Sequence, residues 1–309
     1  MLATIFVIIN PHAGNGKALE AWEKTKSAFS GNTSIFSVHI SQAQAELHNH
    51  VNEAYTKGIR RFLAVGGDGT LHSLINALAP FIINKNQETL QIGLLPTGTG
   101  NDWVKSQGID KNIRHFTKIL GSTKEKFQNI CKISYTENDV EKERYFLNIA
   151  SLGFGGKTVE NVDKLRKKVF LGKLTFIAGL AFTLFGFKST RCKVVIDGSE
   201  IKLPLFILAV GKGKFFGGGI KILPHAQPDD NQLAISMVSK IPKWKVLVNI
   251  TRLFDGTYTK NKEVVVLKGK EVLLKSAKKI PLEIEGEFIG FTKKANISLT
   301  QNKIKVFVA

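Results

Sequence analysis

The stretch RFLAVGGDGTLHSLINAL, residues 61 to 78, decides how the chain is read. Phe62 to Val65 is a short apolar run that ends abruptly at Gly66, as a buried strand does. From Leu71 onward, Leu71, Leu74, Ile75 and Leu78 recur at intervals of three and four, the spacing of a helix with one buried face. Between them stand Gly66, Gly67, Asp68, Gly69 and Thr70. Glycine lets backbone amides approach a ligand closely. A helix start adds unpaired N–H donors and partial positive charge, so the loop suits a phosphate. A carboxylate such as Asp68 repels phosphate unless a cation lies between them. Mg²⁺, which takes oxygen ligands and keeps several waters, can bridge the two.

Two similar loops flank this one. Asn10-Pro11-His12-Ala13-Gly14-Asn15-Gly16-Lys17 follows the apolar run Ile5–Ile9, and Pro96-Thr97-Gly98-Thr99-Gly100-Asn101-Asp102 follows Leu90–Leu95. Helical spacing covers Ala18–Phe29 and Ala43–Tyr55, with a strand-like segment at Ser34–Ile40 between them. Alternating strands and helices predict an α/β unit with a parallel sheet. Ligands of such sheets bind beyond the carboxyl ends of the strands, where the three loops fall. Nothing matches G-x-x-x-x-G-K-[ST], and no G-x-G-x-x-G opens the first helix, so ordinary P-loop and dinucleotide folds are disfavoured.

From about residue 130 the pattern changes. Short runs at Ile130–Tyr135, Tyr145–Ser151, Lys193–Ile196, Leu203–Val210, Leu233–Val238, Val264–Leu267, Val272–Lys275 and Leu282–Ile284 predict an antiparallel, β-rich second domain. A helix-rich insert at about 157 to 188 interrupts it. The expected division is 1–125, 126–291 and a tail of about 292–309, which finishes the second sheet or returns to the first domain. A length of 309 residues suits two domains, since single cores stop growing at about 250–300.

The chain carries 44 basic and 25 acidic residues, a formal charge of +19. Such a field attracts nucleic acid, nucleotides or an acidic membrane leaflet, and equally describes a solvated surface. Clusters occur in KLRKK (164–168), KIPKWK (240–245) and residues 260–279. No strand carries the aromatic signature of RNA-binding modules, so nucleic acid is not expected as a partner. Cys131 and Cys192 form neither a disulfide framework nor a metal-ligand spacing, which points to a reducing, intracellular setting. No basic n-region precedes the first apolar run, so a signal peptide is not expected.

NPHAGNGK, VGGDGTLHSLINAL and LPTGTGNDW, in this order, resemble the diacylglycerol kinase catalytic domain, and more closely the bacterial soluble lipid kinases related to sphingosine and ceramide kinases. NIASLGFGG (148–156), FFGGGIKILPHAQPDDNQL (215–233) and EIEGEF (283–288) extend the resemblance over nearly the whole chain. It implies an α/β N-terminal domain similar to phosphofructokinase and NAD kinase, and an all-β sandwich C-terminal domain. It implies ATP-dependent, Mg²⁺-assisted phosphorylation of a lipid hydroxyl in lipid metabolism and phospholipid biosynthesis. It places Asn10, Pro11, Gly14, Gly66, Gly67, Asp68, Gly69, Thr70, Thr97, Gly98 and Asn101 near ATP, and Asp68 and Asp102 in a Mg²⁺–water network. The family's D-G-E segment matches Glu285, Gly286 and Glu287, which makes Glu287 the base and Glu285 its partner or a metal-linked carboxylate. The first position is Glu where the family has Asp. The resemblance also implies a structural Mg²⁺ held by the Asp230 carboxylate and the backbone carbonyls of Gln227 and Gln232. The family's glycine is here Asn231, which tolerates the left-handed region better than most residues.

A lipid acceptor implies work at an anionic membrane surface by a cytoplasmic, peripherally associated protein. Residues 169–187 place Phe170, Leu174, Ile177, Leu180, Leu184 and Phe187 mostly three or four apart, beside the basic KLRKK. An apolar face with adjacent lysines suits interfacial binding; the same helix packed on the β domain would line an internal acyl pocket. A homodimer is one open arrangement. The alternatives are an NAD kinase-like phosphotransferase and a catalytically degenerate membrane-surface binder.

Overall fold

The computed structural model describes residues 4–29, 33–41, 44–83, 89–98, 100–109, 112–122, 124–166 and 173–308. The chain divides into two compact units, Met1–Ile130 with Thr300–Ala309, and Cys131–Leu299.

The first unit alternates β1 (Ile5–Ile9), α1 (Ala18–Ala28), β2 (Phe36–Ile40), α2 (Gln44–Thr56), β3 (Arg61–Gly66), α3 (Asp68–Ile82), β4 (Gln91–Pro96), α4 (Asp102–Gln107) and α5 (Ile113–Gly121). Its sheet runs β2, β1, β3, β4 and then the end of the chain's last strand, all parallel. Strands covered by helices on both faces read as unbroken apolar runs. Accordingly β1 is buried throughout, and β3 is buried from Phe62 to Gly66. The edge strand β2 has no buried position. Ile5, Val7, Trp22, Leu63, Phe116 and Phe307 share the core on one side of the sheet.

Helix α3 begins three residues before the Leu71 expected from apolar spacing. Gly67 is its N-cap, and the amides of Thr70 and Leu71 donate to the Gly67 carbonyl at 3.0 and 3.2 Å. Asp68, Gly69 and Thr70 therefore form the helix's first turn, where the amides of Asp68 and Gly69 have no acceptor within the helix.

The second unit contains most of β5 (Glu125–Glu137), then β6 (Val140–Phe146), β7 (Ile149–Gly153), α6 (Phe154–Arg166), α7 (Lys173–Gly186), β8 (Thr190–Ile196), β9 (Ser199–Gly211), β10 (Leu233–Ser239), α8 (Lys243–Val248), α9 (Arg252–Asp255), β11 (Val264–Gly269), β12 (Glu271–Ile284) and the start of β13 (Glu287–Phe307). Its strand pairs are antiparallel. The long strands β9 and β12 each pair with both β8 and β7, besides β10 and β13 respectively. β8 pairs with Ser199–Leu205 and β7 with Ile207–Gly211 of β9, while β8 pairs with Val272–Ser276 and β7 with Leu282–Ile284 of β12. The four strands close on a core that includes Ala150, Leu152, Val194, Leu208, Leu274 and Leu282.

Three expectations differ in detail. Tyr145–Ser151 is not one strand: β6 ends at Phe146 and β7 begins at Ile149. Val272–Lys275 and Leu282–Ile284 belong to the single strand β12, whose register to β13 shifts between Lys275 and Ile280. The tail expected at about 292–309 belongs to one 21-residue strand, β13, whose first residues complete the second unit's sheet. Its last ones pair with β4 at Lys305 and Val306.

Phe307 is 1% exposed, and a Cβ added at Gly93 would lie 2.7 Å from its ring. The Phe307→Ala variant is expected to lose about 3–5 kcal/mol of stability in a denaturant titration. A loss within about 0.5 kcal/mol, the range of ordinary surface substitutions, would show that the tail does not anchor this sheet.

Candidate functional site

In the first unit the three glycine loops come together because their glycines lack side chains. Gly14 has φ +61°, and a Cβ there would lie 2.3 Å from the Thr97 carbonyl oxygen. A Cβ on Gly98 would lie 2.7 Å from Gly67 Cα. The β1–α1, β3–α3 and β4–α4 loops thus touch backbone to backbone. Asn10 closes the group: its side-chain oxygen accepts the His12 amide at 3.0 Å, and its Nδ2 lies 3.4 Å from Thr70 Oγ1. Asn101 is buried with φ +51° and donates from Nδ2 to the Gly98 carbonyl at 2.6 Å. The buried Thr97 hydroxyl and Asn101 Oδ1 have no hydrogen-bond partner among the described residues. Thr99 lies outside the described residues. Pro11 falls in the first of these loops, Gly66 ends β3, and Gly69 and Thr70 lie in the first turn of α3.

Asp68 ties two of these loops together. Its Oδ2 accepts the Asp102 amide and its Oδ1 the Trp103 amide, both at 3.1 Å. The carboxylate therefore caps α4, and each oxygen keeps a second lone pair. Burial, and then the neighbouring Asp102 carboxylate, raise the Asp68 pKa above its ordinary value. Asp102 is paired with Lys105 at 3.0 Å. A Cβ at Gly100 would lie 3.1 Å from Asp68 Oδ2 and 3.8 Å from Asp102 Oδ2. The two carboxylates therefore flank one small space that the missing side chain leaves open. Two like charges beside such a space fit a hydrated divalent cation. Gly100 was not among the residues singled out from the sequence, where it reads as one more turn glycine.

In the second unit the segment Glu283–Glu287 carries three glutamates with three different surroundings. Glu283 is wholly buried at the end of β12 and accepts the Gly286 amide at 2.9 Å. Burial pushes its pKa up to about 7, against the pull of Ser151 and the Gly286 amide. Glu285 has φ +55°. Its Oε1 accepts the amides of Leu147 and Asn148 at 2.7 and 2.6 Å, which is why the predicted Tyr145–Ser151 strand breaks there. Glu285 thus clamps the β6–β7 corner. Glu287 opens β13 with its side chain 54% exposed and Arg144 3.6 Å away. Sequence reasoning gave Glu283 no role, since nothing in E-I-E-G-E marks which acid turns inward.

Asp230 and Gln232 come together as the resemblance implies, with Asn231 between them at φ +55°. They do not meet as an open ligand set. The buried ammonium of Lys212 is bonded to Asp230 Oδ1 and, at 2.8 Å, to the Gln232 carbonyl. Gln227 stands at the start of the same turn. Among the described residues no group of three or more His, Cys, Asp or Glu side chains is placed to hold a metal.

A parallel α/β unit whose glycine loops crowd around paired carboxylates is thus followed in the chain by an antiparallel β unit. The diacylglycerol kinase catalytic domain matches residues 4–133, and the YegS C-terminal NAD kinase beta sandwich-like domain matches residues 148–308. The second match covers more than half of the chain. The chain belongs to the YegS branch of the diacylglycerol kinase family, and it is a kinase.

Similar proteins include the "Putative lipid kinase YtlR" of Bacillus subtilis, 24% identical over 93% of this chain and 94% of the relative. The "Probable lipid kinase YegS-like" of Yersinia enterocolitica is 29% identical over 72% of this chain and 71% of its own. Among solved structures, a "putative diacylglycerol kinase" from Bacillus anthracis superposes with a TM-score of 0.74 at 22% identity, covering 99% of this chain and 97% of the other. Yeast NADH kinase superposes at 0.56 with 9% identity, over 100% and 84%. These likenesses show the fold.

The Glu283→Gln variant keeps an acceptor for the Gly286 amide and removes the titration. A carboxyl whose pKa is raised in the folded state stabilises fully below the unfolded value, and the contribution is lost as pH rises through the folded value. With ordinary and raised values of 4.5 and about 7, the variant should gain about 3 kcal/mol on the wild type between acidic pH and pH above 7. Parallel unfolding curves at both ends of that range measure it; a pH-independent difference would show that Glu283 ionises normally.

Proposed function

We propose that the protein transfers the γ-phosphoryl group of ATP to a primary hydroxyl of a membrane lipid. The observation that carries the lipid half of this reading is an apolar cavity of about 80 Å³ inside the second unit. Its walls include Phe154, Leu180, Phe206, Phe216, Val246 and Tyr258, with Lys245 and Asn249 among the polar contacts. Such walls suit a short stretch of hydrocarbon, whereas a nucleotide acceptor would need polar partners for its phosphates and sugar hydroxyls.

The first unit's loops supply the donor side. Amides of the α3 first turn and the glycine loops bind the phosphates. Bound between Asp68 and Asp102, Mg²⁺ would neutralise phosphate charge. In the transfer, the acceptor hydroxyl gives its proton to a carboxylate as its oxygen bonds to the γ-phosphorus. The bond from that phosphorus to the bridging oxygen breaks, and ADP leaves. Positioning and charge neutralisation supply most of the rate. Glu287 is the base in this account. Its side chain is accessible, whereas Glu283 is buried and Glu285 is engaged by two amides.

The test is transfer of label from γ-labelled ATP, with Mg²⁺, to vesicles offering diacylglycerol, a sphingoid base, ceramide or phosphatidylglycerol, with NAD as a soluble control. A labelled lipid is expected, with activity reduced about 10²–10⁴-fold in Glu287→Gln. Gly100→Ala is expected to raise the Mg²⁺ needed without lowering the melting temperature. Label on NAD and on no lipid would replace this reading with the NAD kinase one. Vesicle binding with no labelled product would leave the degenerate binder.

Peripheral docking on an anionic membrane is part of the same proposal. Among the described residues, no helix is long and apolar enough to cross a membrane. Helix α7 buries Leu180 and Leu184 and turns Phe182 outward at 70% exposure, with Phe185 beside it. Trp244 and Val248 of α8 are each about two-thirds exposed, and Phe254 of α9 is half exposed. The Lys243 ammonium donates to the Phe185 carbonyl and so links α7 to α8. Exposed Lys188, Lys240 and Lys243 accompany the patch. Phe170 lies outside the described residues, as do the side chains of Leu174 and Ile177. Each lysine near an anionic leaflet contributes about 1 kcal/mol. Flotation should show binding to anionic vesicles that weakens in salt and falls at least ~10-fold in Phe182→Asp/Trp244→Asp, the loss expected from removing two interfacial aromatics. Unchanged binding in that variant would place the membrane contact elsewhere.

A further inference from the structure

Lys212 follows the last residue of β9, and its side chain is wholly buried. A buried ammonium is costly unless it is paired and hydrogen-bonded. Here it is both. Nζ forms an ion pair with Asp230 Oδ1 and donates to the Gln232 carbonyl at 2.8 Å. Its backbone amide donates to the Asn148 carbonyl at 2.9 Å, so the root of the side chain is fixed as well. The Gln232 amide donates back to Asp230 Oδ1 at 3.2 Å, and the second oxygen, Oδ2, pairs with Lys268 at 2.7 Å. Asn231, with φ +55°, gives the turn its reversal.

The two acceptors of the Lys212 ammonium are the Asp230 carboxylate and the Gln232 carbonyl. These are two of the three oxygens that the resemblance assigns to a structural Mg²⁺. Mg²⁺ would need both at about 2.0–2.1 Å, in near-octahedral geometry. It cannot take them while an ammonium nitrogen stands in contact with the same atoms. A divalent ion beside a buried ammonium would also meet like-charge repulsion in a medium that screens it poorly. The residues present do not fit the ion.

We propose that Lys212 replaces this cation, so that the turn from Gln227 to Gln232 is held by a charge belonging to the chain and the second unit folds without a structural metal. The lysine does the ion's two jobs: it neutralises Asp230 and gathers the Gln232 carbonyl onto the same point. Lys268 completes the neutralisation from the outer side. The proposal stands whatever the acceptor lipid is, because it concerns the stability of the second unit. It separates two roles for Mg²⁺: the requirement that remains is the one at Asp68 and Asp102.

The experiment is a thermal melt of the full chain in EDTA and in excess Mg²⁺, together with elemental analysis after gel filtration. Wild type is expected to hold no stoichiometric divalent metal and to melt at the same temperature in both buffers. Lys212→Asn strips the charge and leaves a neutral oxygen near Asp230. It should melt roughly 10 °C lower in EDTA, the scale of a broken buried pair, and recover part of the loss in Mg²⁺. Lys212→Met, which keeps the length and supplies no oxygen, should recover less. Stoichiometric metal in the wild type, or a wild-type melt lowered by EDTA, would overturn the proposal. So would a Lys212→Asn variant that melts like wild type in EDTA. The wild-type arms decide the matter even if both variants fail to fold.

Discussion

The first unit depends on one carboxylate accepting two backbone amides. Asp68 sits in the first turn of α3 and receives the N–H groups that open α4. Burying a carboxylate costs free energy, and the two charge-assisted bonds offset that cost. They form only because the chains around them are bare. Side chains at Gly98 or Gly14 would push the loops apart before the amides reached their acceptor. The glycines of the signature loop thus do two things. They leave the backbone uncovered, and they let three loops share one small volume with a pair of acids. The same arrangement concentrates charge: burial and the neighbouring Asp102 carboxylate raise the pKa of Asp68.

The second unit sorts three carboxylates along five residues. Glu283 points into the core and titrates near neutral pH, Glu285 holds two amides across the β6–β7 corner, and Glu287 reaches the surface. Alternation along a strand sends successive odd positions to one face. The turn at Glu285 and Gly286, both at positive φ, breaks that rule and lets neighbouring acids enter unlike surroundings. Environments that separate the ionisation of paired acids are how folds assign acid–base roles. Here the separation leaves Glu287 half-exposed beside Arg144, while Glu283 and Glu285 accept backbone amides.

Much of this was legible in the residues. Strands β1, β3 and β4 are buried on both faces, so their apolar runs stand out, and the glycine loops mark where they end. What stayed hidden was set by partners far along the chain. The break at Leu147 and Asn148 is caused by Glu285, more than 130 positions later, and no local propensity signals it. The run from Ser276 to Lys279 separates two expected strands, yet β12 continues through it with a shift of register. Helix α3 starts early because Gly67 accepts two amides, a fact of geometry that apolar spacing does not carry. Gly100 matters for the side chain it lacks. Lys212, in VGKGK, reads as one more surface charge in a basic chain, although it is buried to the last atom. Burial of that kind is decided by the fold and not by the residue type.

An ion taken from solution is shared with every chelator, competitor and dilution the molecule meets, and its occupancy follows the surroundings. A cation bonded to its own peptide is present once for each copy of the chain, at a concentration that nothing outside can alter. What that arrangement gives up is tolerance of error. A lost ion can be replenished, whereas a single codon change at position 212 would leave Asp230 to Lys268 alone for the life of the protein.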